Sequence, residues 1–207
     1  MADPEHPQIY LITPPQFELS AFSSELSRML DSFAVACVRL RCASEAAADI
    51  GRAADNLREV CHTRDVPLVV ENHGKIASVH GLDGVHLTDG PRQVRDMRKL
   101  LGDDAIVGSF CENSRHIGMA AGEAGADYIA FGPLAENPLS VSDPVDFDTF
   151  EWWSEMIEIP VVAEGAISLD LAAQLAPVTD FFAFGPEVWS AENGPDAALK
   201  AYLERIM

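Results

Sequence analysis

Short apolar runs alternate with longer amphipathic stretches along the whole chain. Runs such as Pro67–Val70 and Pro160–Ala163 are almost entirely apolar, which is typical of parallel strands covered on both faces. The stretch Leu19–Leu30 instead places its large apolar residues on one face of a helix. The predicted strands are Gln8–Ile12, Ala34–Leu40, Pro67–Val70, Gly84–Leu87, Ala105–Ser109, Tyr128–Gly132, Pro160–Ala163 and Asp180–Phe184. The predicted helices are Leu19–Leu30, one from a Ser44 cap to about Arg64, Lys75–Val79, Gln93–Leu101, Ser114–Ala124, Phe147–Ile157, Leu169–Ala176 and Pro195–Ile206.

This alternation predicts the fold class. Eight strand–helix units in 207 residues leave about 26 residues for each unit. Repeated units of this kind favour a parallel sheet, and eight of them favour a closed α/β barrel, the (β/α)8 or TIM barrel with eight parallel strands. No linker or change of composition divides the chain, so residues 1–207 are expected to form a single domain.

Charge narrows the choice of partner. The chain has 33 acidic and 14 basic residues, for a net charge of −19, and such a field repels nucleic acid. A small-molecule ligand is therefore expected, and a homodimer is compatible with the sequence. The start of the chain lacks a secretory leader pattern, the apolar runs are too short to span a bilayer, and the four cysteines show no CxxC spacing. These features predict a cytoplasmic protein with reduced thiols and no membrane partner.

In a TIM barrel the active site lies where the strands end, on the loops that lead into the helices. Strand alternation in Val38-Arg39-Leu40-Arg41 places both arginines on the inner face of the barrel. Two guanidinium groups at the mouth suit a carboxylate or a phosphate, since each donates a forked pair of hydrogen bonds. An internal salt bridge with Glu71 is the alternative, and the sequence does not decide between the two.

The loops after the seventh and eighth strands are the second candidate anion site. In this fold they commonly hold phosphate through main-chain N–H groups, and Gly165, Ala166 and Gly185 stand there. Pro186 has no N–H to contribute, and the adjacent Glu164 and Glu187 repel an anion if they face it. A partial phosphate cradle is the prediction.

Several potential metal ligands also stand at strand ends. Glu71, His73, His86, Asp89 and Cys111 come from three loops and show no HxH or HExxH spacing. They are interpreted as polar residues at the ends of strands, and no metal site is predicted from them.

Four short motifs are spread over much of the chain. They are Tyr10-Leu11-Ile12-Thr13-Pro14, Gly84-Val85-His86-Leu87, Gly125-Ala126-Asp127-Tyr128-Ile129 and Phe131-Gly132-Pro133. In this order and close to this spacing they resemble the thiamine-phosphate synthase family, which includes a thiazole tautomerase branch. The resemblance implies an enzyme that joins a hydroxymethylpyrimidine diphosphate to a thiazole phosphate, with Mg²⁺ and release of pyrophosphate.

The chain departs from the family at charged positions. The family motif Gln-Leu-Arg-x-Lys is Arg39-Leu40-Arg41-Cys42-Ala43 here, so only the arginine is kept, at Arg41. The Asn-Asp pair is Glu71-Asn72, and the second metal-binding aspartate aligns with Pro91, two residues after Asp89. The Thr-x-Thr-Lys motif is Asn137-Pro138-Leu139-Ser140, with no lysine, and a serine near the last strand is Pro186.

The resemblance implies site residues, carried over position by position. The implied catalytic residues are Arg41 and Asn72, and no residue is assigned to a metal. The candidate substrate- or phosphate-binding residues are Arg39, Arg41, Ser109, Gly165, Ala166 and Gly185. Because most metal and lysine positions are lost, two hypotheses stay open. One is a thiamine-phosphate synthase or a modified form of it; the other is a barrel without this catalysis that binds a small phosphorylated or anionic ligand.

Overall fold

The computed structural model describes residues 6–136 and 143–207, and the polypeptide forms a closed parallel barrel. Each strand pairs with the next one in sequence, and the last pairs with the first, so the predicted (β/α)8 fold is confirmed. The strands in the described residues are β1 Gln8–Ile12, β2 Val35–Leu40, β3 Leu68–Glu71, β4 Gly84–Leu87, β5 Ile106–Phe110, β6 Tyr128–Phe131, β7 Val161–Glu164 and β8 Phe181–Phe184.

The helices pack around the outside of this barrel. They are α1 Leu19–Ser32, α2 Ala47–His62, α3 Gly74–His80, α4 Val94–Leu101, α5 Arg115–Glu123, α6 Phe147–Met156, α7 Leu169–Leu175, α8 Pro186–Trp189 and α9 Pro195–Ile206, with 3₁₀ turns at Gly90–Arg92 and Ala176–Val178. The sequence pattern missed α8 because four residues are too few to show a helical period. The other boundaries agree with the prediction to within a few residues.

The predicted cap of α2 is wrong. The helix begins at Ala47, and the residue at its N-cap is Ala46, which offers no side-chain acceptor. The Ser44 hydroxyl is used before the helix begins: it accepts the Ala46 N–H at 3.2 Å and donates to Asp49 Oδ2 at 2.9 Å. A serine that binds the backbone two residues ahead forms a local turn, so the helix starts later than the cap rule predicts.

Two layers of apolar side chains fill the molecule. Helix-facing strand residues such as Leu40 pack against the helices, while Tyr10, Val69 and Tyr128 form a smaller cluster inside the barrel. Gly108 makes this interior possible, since a Cβ atom there would lie 2.0 Å from the Tyr128 ring carbon Cζ. The packed interior leaves the loops at the carboxyl ends of the strands as the place for a ligand.

The structure also shows the lengths of the helices and the state of the cysteines. No helix within residues 6–136 and 143–207 combines the length and hydrophobicity needed to span a bilayer. All four cysteines lie in the described part and are free thiols: Cys37, Cys42, Cys61 and Cys111. Residues 137–140, which stand where the family has its lysine-containing motif, lie outside the described residues.

Candidate functional site

Arg39 forms a buried ion pair across the barrel. Its side chain is 3% exposed and makes two hydrogen bonds to Glu164 on β7, at 3.0 and 3.1 Å, with Glu71 3.6 Å from its Nε. Burial disfavours the guanidinium charge, but Glu164, Tyr10 and Glu71 outweigh it and raise the pKa of Arg39 above its ordinary value. The predicted inward direction is confirmed, and Arg39 has the internal pairing that the sequence left as an alternative.

Arg41 differs from Arg39 in being open to solvent. It follows the last residue of β2, its side chain is 49% exposed, and its Nε lies 3.8 Å from Glu71 Oε1. Its backbone is fixed by Thr13, whose hydroxyl accepts the Arg41 N–H at 3.0 Å and donates to the Arg41 carbonyl at 3.1 Å. The guanidinium therefore stands at the mouth on a fixed backbone, and its ion pair with Glu71 is long enough to be exchanged for a ligand.

Asn72 joins the loops after β3 and β4. Its backbone has a φ of 59°, a left-handed conformation that asparagine tolerates better than most residues. Its amide nitrogen donates to Thr88 Oγ1 at 2.8 Å, and its amide oxygen accepts the Thr88 N–H at 2.9 Å. The neighbouring His73 ring binds the Glu71 carbonyl at 2.6 Å. Both side chains thus hold the loops in place.

A cavity of about 400 Å³ lies between the loops after β4 and β5. Asp89 and Glu112 both line it, with Arg92 also at its wall. One oxygen of Asp89 accepts from Gln93 at 2.9 Å, whereas the other, Oδ1, is buried and has no hydrogen-bond partner among the described residues. Among the residues that the structure describes, no group of three or more His, Cys, Asp or Glu side chains is arranged to hold a metal ion.

The loops after β7 and β8 bind each other. Gly165 and Ala166 have φ values of 83° and 56°, so this loop turns through two left-handed residues. The Glu187 carboxylate accepts the Gly185 N–H at 3.0 Å and the Ile167 N–H at 3.2 Å. The N–H of Gly185, a predicted phosphate donor, is therefore already occupied by a side chain of this protein.

Ser109 lies apart from the other predicted residues. It is fully buried on β5, and its hydroxyl lies 3.5 Å from the sulfur of Cys111. The alternating residues Gly108 and Phe110 face the barrel interior, where Phe110 packs against the inner cluster and Gly108 faces Tyr128. Ser109 therefore faces the helices, and the structure does not bring it to the mouth with Arg41.

A buried chain of polar side chains runs below the mouth. The hydroxyls of Tyr10 and Tyr128 lie 2.7 Å apart, and the Tyr128 hydroxyl lies 2.9 Å from His86 Nδ1. Within the part of the chain that the structure describes, His86 Nε2 has no hydrogen-bond partner, and it lies 3.9 Å from Glu164. Burial and the charge of Arg39 hold the pKa of His86 well below its usual value, so the ring is neutral. Strand alternation places all three residues inside the barrel, but their contacts depend on the barrel closing.

Known proteins provide a comparison with this fold and site. The family model described as thiamine monophosphate synthase matches residues 9–183. A thiamine-phosphate synthase of Rhodospirillum centenum is 40% identical over 97% of both chains, and one of Hyphomonas neptunium is 35% identical over 94% of this chain and 91% of its own. A solved thiamine phosphate pyrophosphorylase from Pyrococcus furiosus is 21% identical, has a TM-score of 0.82 and covers 97% of both chains, which shows the shared fold. This chain belongs to the thiamine monophosphate synthase family.

Proposed function

We propose that this protein transfers a hydroxymethylpyrimidine from its diphosphate to the ring nitrogen of a thiazole, at the carboxyl end of the barrel. The observation that carries the proposal is the exposed Arg41 guanidinium, retained in the register of the family motif and held on a fixed backbone. Membership of the family supports the reaction class. In this reaction the bond from the pyrimidine methylene carbon to the diphosphate oxygen breaks, a carbon–nitrogen bond forms, and pyrophosphate leaves with the electron pair.

Arg41 is the residue that contacts the diphosphate in this proposal. Its guanidinium donates a forked pair of hydrogen bonds to the oxygens on which negative charge develops, and such charge stabilisation commonly dominates catalysis. Asn72 acts as a positioning residue, because both ends of its amide are used to hold Thr88 and the loop after β4.

A divalent cation suits the cavity between the loops after β4 and β5. Mg²⁺ is usually held by one or two carboxylates, several waters and the substrate phosphates rather than by a complete protein cage. Asp89, with its buried unpartnered oxygen, and Glu112 on the same cavity would hold it. When bound, Mg²⁺ supplies charge neutralisation to the departing diphosphate.

A second candidate function is ligand binding without turnover. It is favoured by the ion cluster at the base of the mouth, where two carboxylates, Glu71 and Glu164, flank the single buried guanidinium of Arg39. Such a base offers little net positive charge to a diphosphate. Three expectations from the sequence stay predictions. They are a single domain over residues 1–207, the absence of a nucleic-acid partner, and a homodimer as a possible assembly.

One assay separates the two candidates. The purified protein is incubated with pyrimidine diphosphate, a thiazole and Mg²⁺, and the coupled product is measured by chromatography. Transferase function predicts product in wild type and about 10²–10³-fold less in Arg41→Ala, since one charge-stabilising donor is lost. Saturable binding of the pyrimidine diphosphate without any product would overturn the proposal in favour of the binding candidate.

A further inference from the structure

We propose that a cavity at the carboxyl end of the barrel, between the loop after β1 and helices α1 and α8, binds a small organic cation with an alkylated nitrogen, such as a quaternary ammonium. The cavity has a volume of about 340 Å³, and its lining includes three aromatic rings and two carboxylates: Phe17, Phe22, Trp189, Glu18 and Glu25. None of these residues takes part in the transfer reaction proposed above, so the two proposals stand independently.

The three aromatic rings of this cavity form one packed group. The ring centroids of Phe17 and Phe22 lie 4.6 Å apart, and those of Phe22 and Trp189 lie 5.0 Å apart. The indole N–H of Trp189 donates to the Ile12 carbonyl at 2.7 Å, which fixes the orientation of the largest ring. Aromatic faces carry partial negative charge, and clusters of such rings recognise quaternary ammonium groups. The rings are therefore already arranged for a cation before it arrives.

The two carboxylates give the cavity a negative charge. Glu18 accepts the N–H groups of Ala21 at 2.7 Å and Ser20 at 3.1 Å, and these hydrogen bonds lower the pKa of Glu18, so it is ionised at neutral pH. The same bonds cover the positive end of α1, which would otherwise oppose a cation. Glu25 has a loose ion pair with Arg28, at 3.7 Å. Among the described residues, no lysine or arginine lines the cavity.

The combination of rings and carboxylates selects the class of ligand. A neutral apolar molecule gains from contact with the rings but nothing from the carboxylates. An alkylated nitrogen gains from both, because its positive charge is carried on apolar groups that pack against aromatic faces. The volume lies within the range of small-molecule sites, about 300–1,000 Å³. The net charge of −19 also raises the local concentration of cations.

The test is a titration of the full-length protein with choline chloride, followed by the indole N–H resonance of Trp189 in isotope-labelled protein. This resonance reports on the cavity itself. Choline is expected to shift it saturably, whereas sodium chloride at the same ionic strength leaves it unchanged. The neutral analogue of choline, in which carbon replaces the nitrogen, has the same shape without the charge. It should bind about tenfold more weakly, because the attraction to the rings and the carboxylates is lost.

Two variants of the lining have matched controls. Phe17→Leu keeps an apolar side chain but removes a ring, and choline should bind it about threefold to tenfold more weakly. Glu25→Gln should weaken binding about twofold to fivefold. Phe147→Leu and Glu192→Gln make the same changes at exposed positions elsewhere and should bind choline as wild type does. Thermal unfolding identifies any variant that fails to fold. If Phe17→Leu does so, Glu25→Gln carries the comparison, since its side chain is 41% exposed.

Vesicles of phosphatidylcholine distinguish a free cation from a lipid headgroup that carries the same group. Co-sedimentation is expected to leave the protein in the supernatant, and retention by the vesicles would overturn a free molecule as the ligand. Equal affinity for choline and its neutral analogue would overturn the proposal, because the cavity would then recognise shape alone. The same holds if choline does not bind wild type, or if the lining variants bind it as tightly as their matched controls do.

Discussion

The two sides of the barrel mouth differ in what their polar groups contact. On the open side, formed by the loops after β2, β3 and β4, Arg41 is half-exposed, and one oxygen of Asp89 has no hydrogen-bond partner in residues 6–136 and 143–207. On the closed side, formed by the loops after β7 and β8, the N–H groups of Gly185 and Ile167 bind Glu187. A glycine predicted to donate to a phosphate, such as Gly185, therefore does not by itself make an anion site. The capacity to bind depends on which donors the protein leaves free.

Arg39 connects the two sides. It starts from β2, beside the open side, and makes its two hydrogen bonds to Glu164 at the edge of the closed side. The charge of Arg39 is therefore paired with carboxylates inside the protein, whereas the guanidinium of Arg41, two residues further on, is half-exposed to solvent. Two arginines only two residues apart thus have different roles, because Arg39 points into the closed barrel and Arg41 follows the end of β2 at the mouth.

The largest expected effect concerns catalysis on the open side. Formation of thiamine phosphate from pyrimidine diphosphate and thiazole phosphate should be slower by several orders of magnitude than in a family member with both aspartates and both lysines, at about 10²–10³ per lost charge-stabilising group. Steady-state rates measured side by side check this. A rate equal to that of such a family member would contradict it and would assign a charge-stabilising role to His73 or Lys75.

The buried ion pair that links the two sides should be costly to break. Arg39→Met leaves the carboxylates of Glu164 and Glu71 without their buried partner, and we expect the free energy of unfolding to fall by about 3–5 kcal/mol. Denaturant unfolding measures it. The double variant Arg39→Met/Glu164→Leu is the control and should recover most of the loss, because it removes the buried charge as well. If the double variant is no more stable than the single one, the broken ion pair does not explain the lower stability of Arg39→Met.

Binding of pyrophosphate should depend on the open side alone. Arg41→Ala removes a charged donor, and loss of such a hydrogen bond, at about 1.5–3 kcal/mol, corresponds to about 10–100-fold weaker binding. Calorimetric titration with inorganic pyrophosphate checks it, and wild-type affinity should also fall as salt is added, because exposed charges are screened. Substitution of Arg92, which lines the cavity between the loops after β4 and β5, provides a comparison. Equal affinity of wild type and Arg41→Ala would show that Arg41 pairs with Glu71 and does not bind pyrophosphate.

The smallest expected effect is a pH dependence of stability from the buried chain below the mouth. The folded protein holds the pKa of His86 well below 6.5, so the unfolded chain takes up a proton at acidic pH that the folded one refuses. Stability from this residue is complete above pH 6.5 and is lost as pH falls below it, with a slope of at most about 1.4 kcal/mol per pH unit.

His86→Gln should reduce the slope of the free energy of unfolding between pH 6.5 and 5. His116→Gln, at an exposed histidine, is the matched control and should leave the slope near that of wild type. Denaturant unfolding at several pH values measures both. An unchanged slope in His86→Gln would mean that other groups carry the acid sensitivity of this protein.

The sequence could predict part of the candidate site and not the rest. Strand alternation correctly directs Arg39 into the barrel, because the period of a strand fixes the face of each side chain. The same rule places Ser109 on the face that packs against the helices. Ser109 was assigned to the mouth only because it lies near the carboxyl end of β5, and the face of its side chain was not considered. The role of Glu187 was visible only as a charge near the loop, since a side chain that binds donors from two distant segments leaves no local pattern.

The sequence by itself determined the eight-unit barrel, the inner and outer faces of its strands and the membership of the family. These follow from local periodicity and from motifs that need only a few neighbouring residues. The tertiary structure decided which charged groups stay free. Arg39 meets Glu164 from β7, 125 residues away, and Glu187 meets Ile167, 20 residues away, only after the barrel has closed. A charge becomes a ligand site or an internal pair according to which partner the fold brings within hydrogen-bond distance.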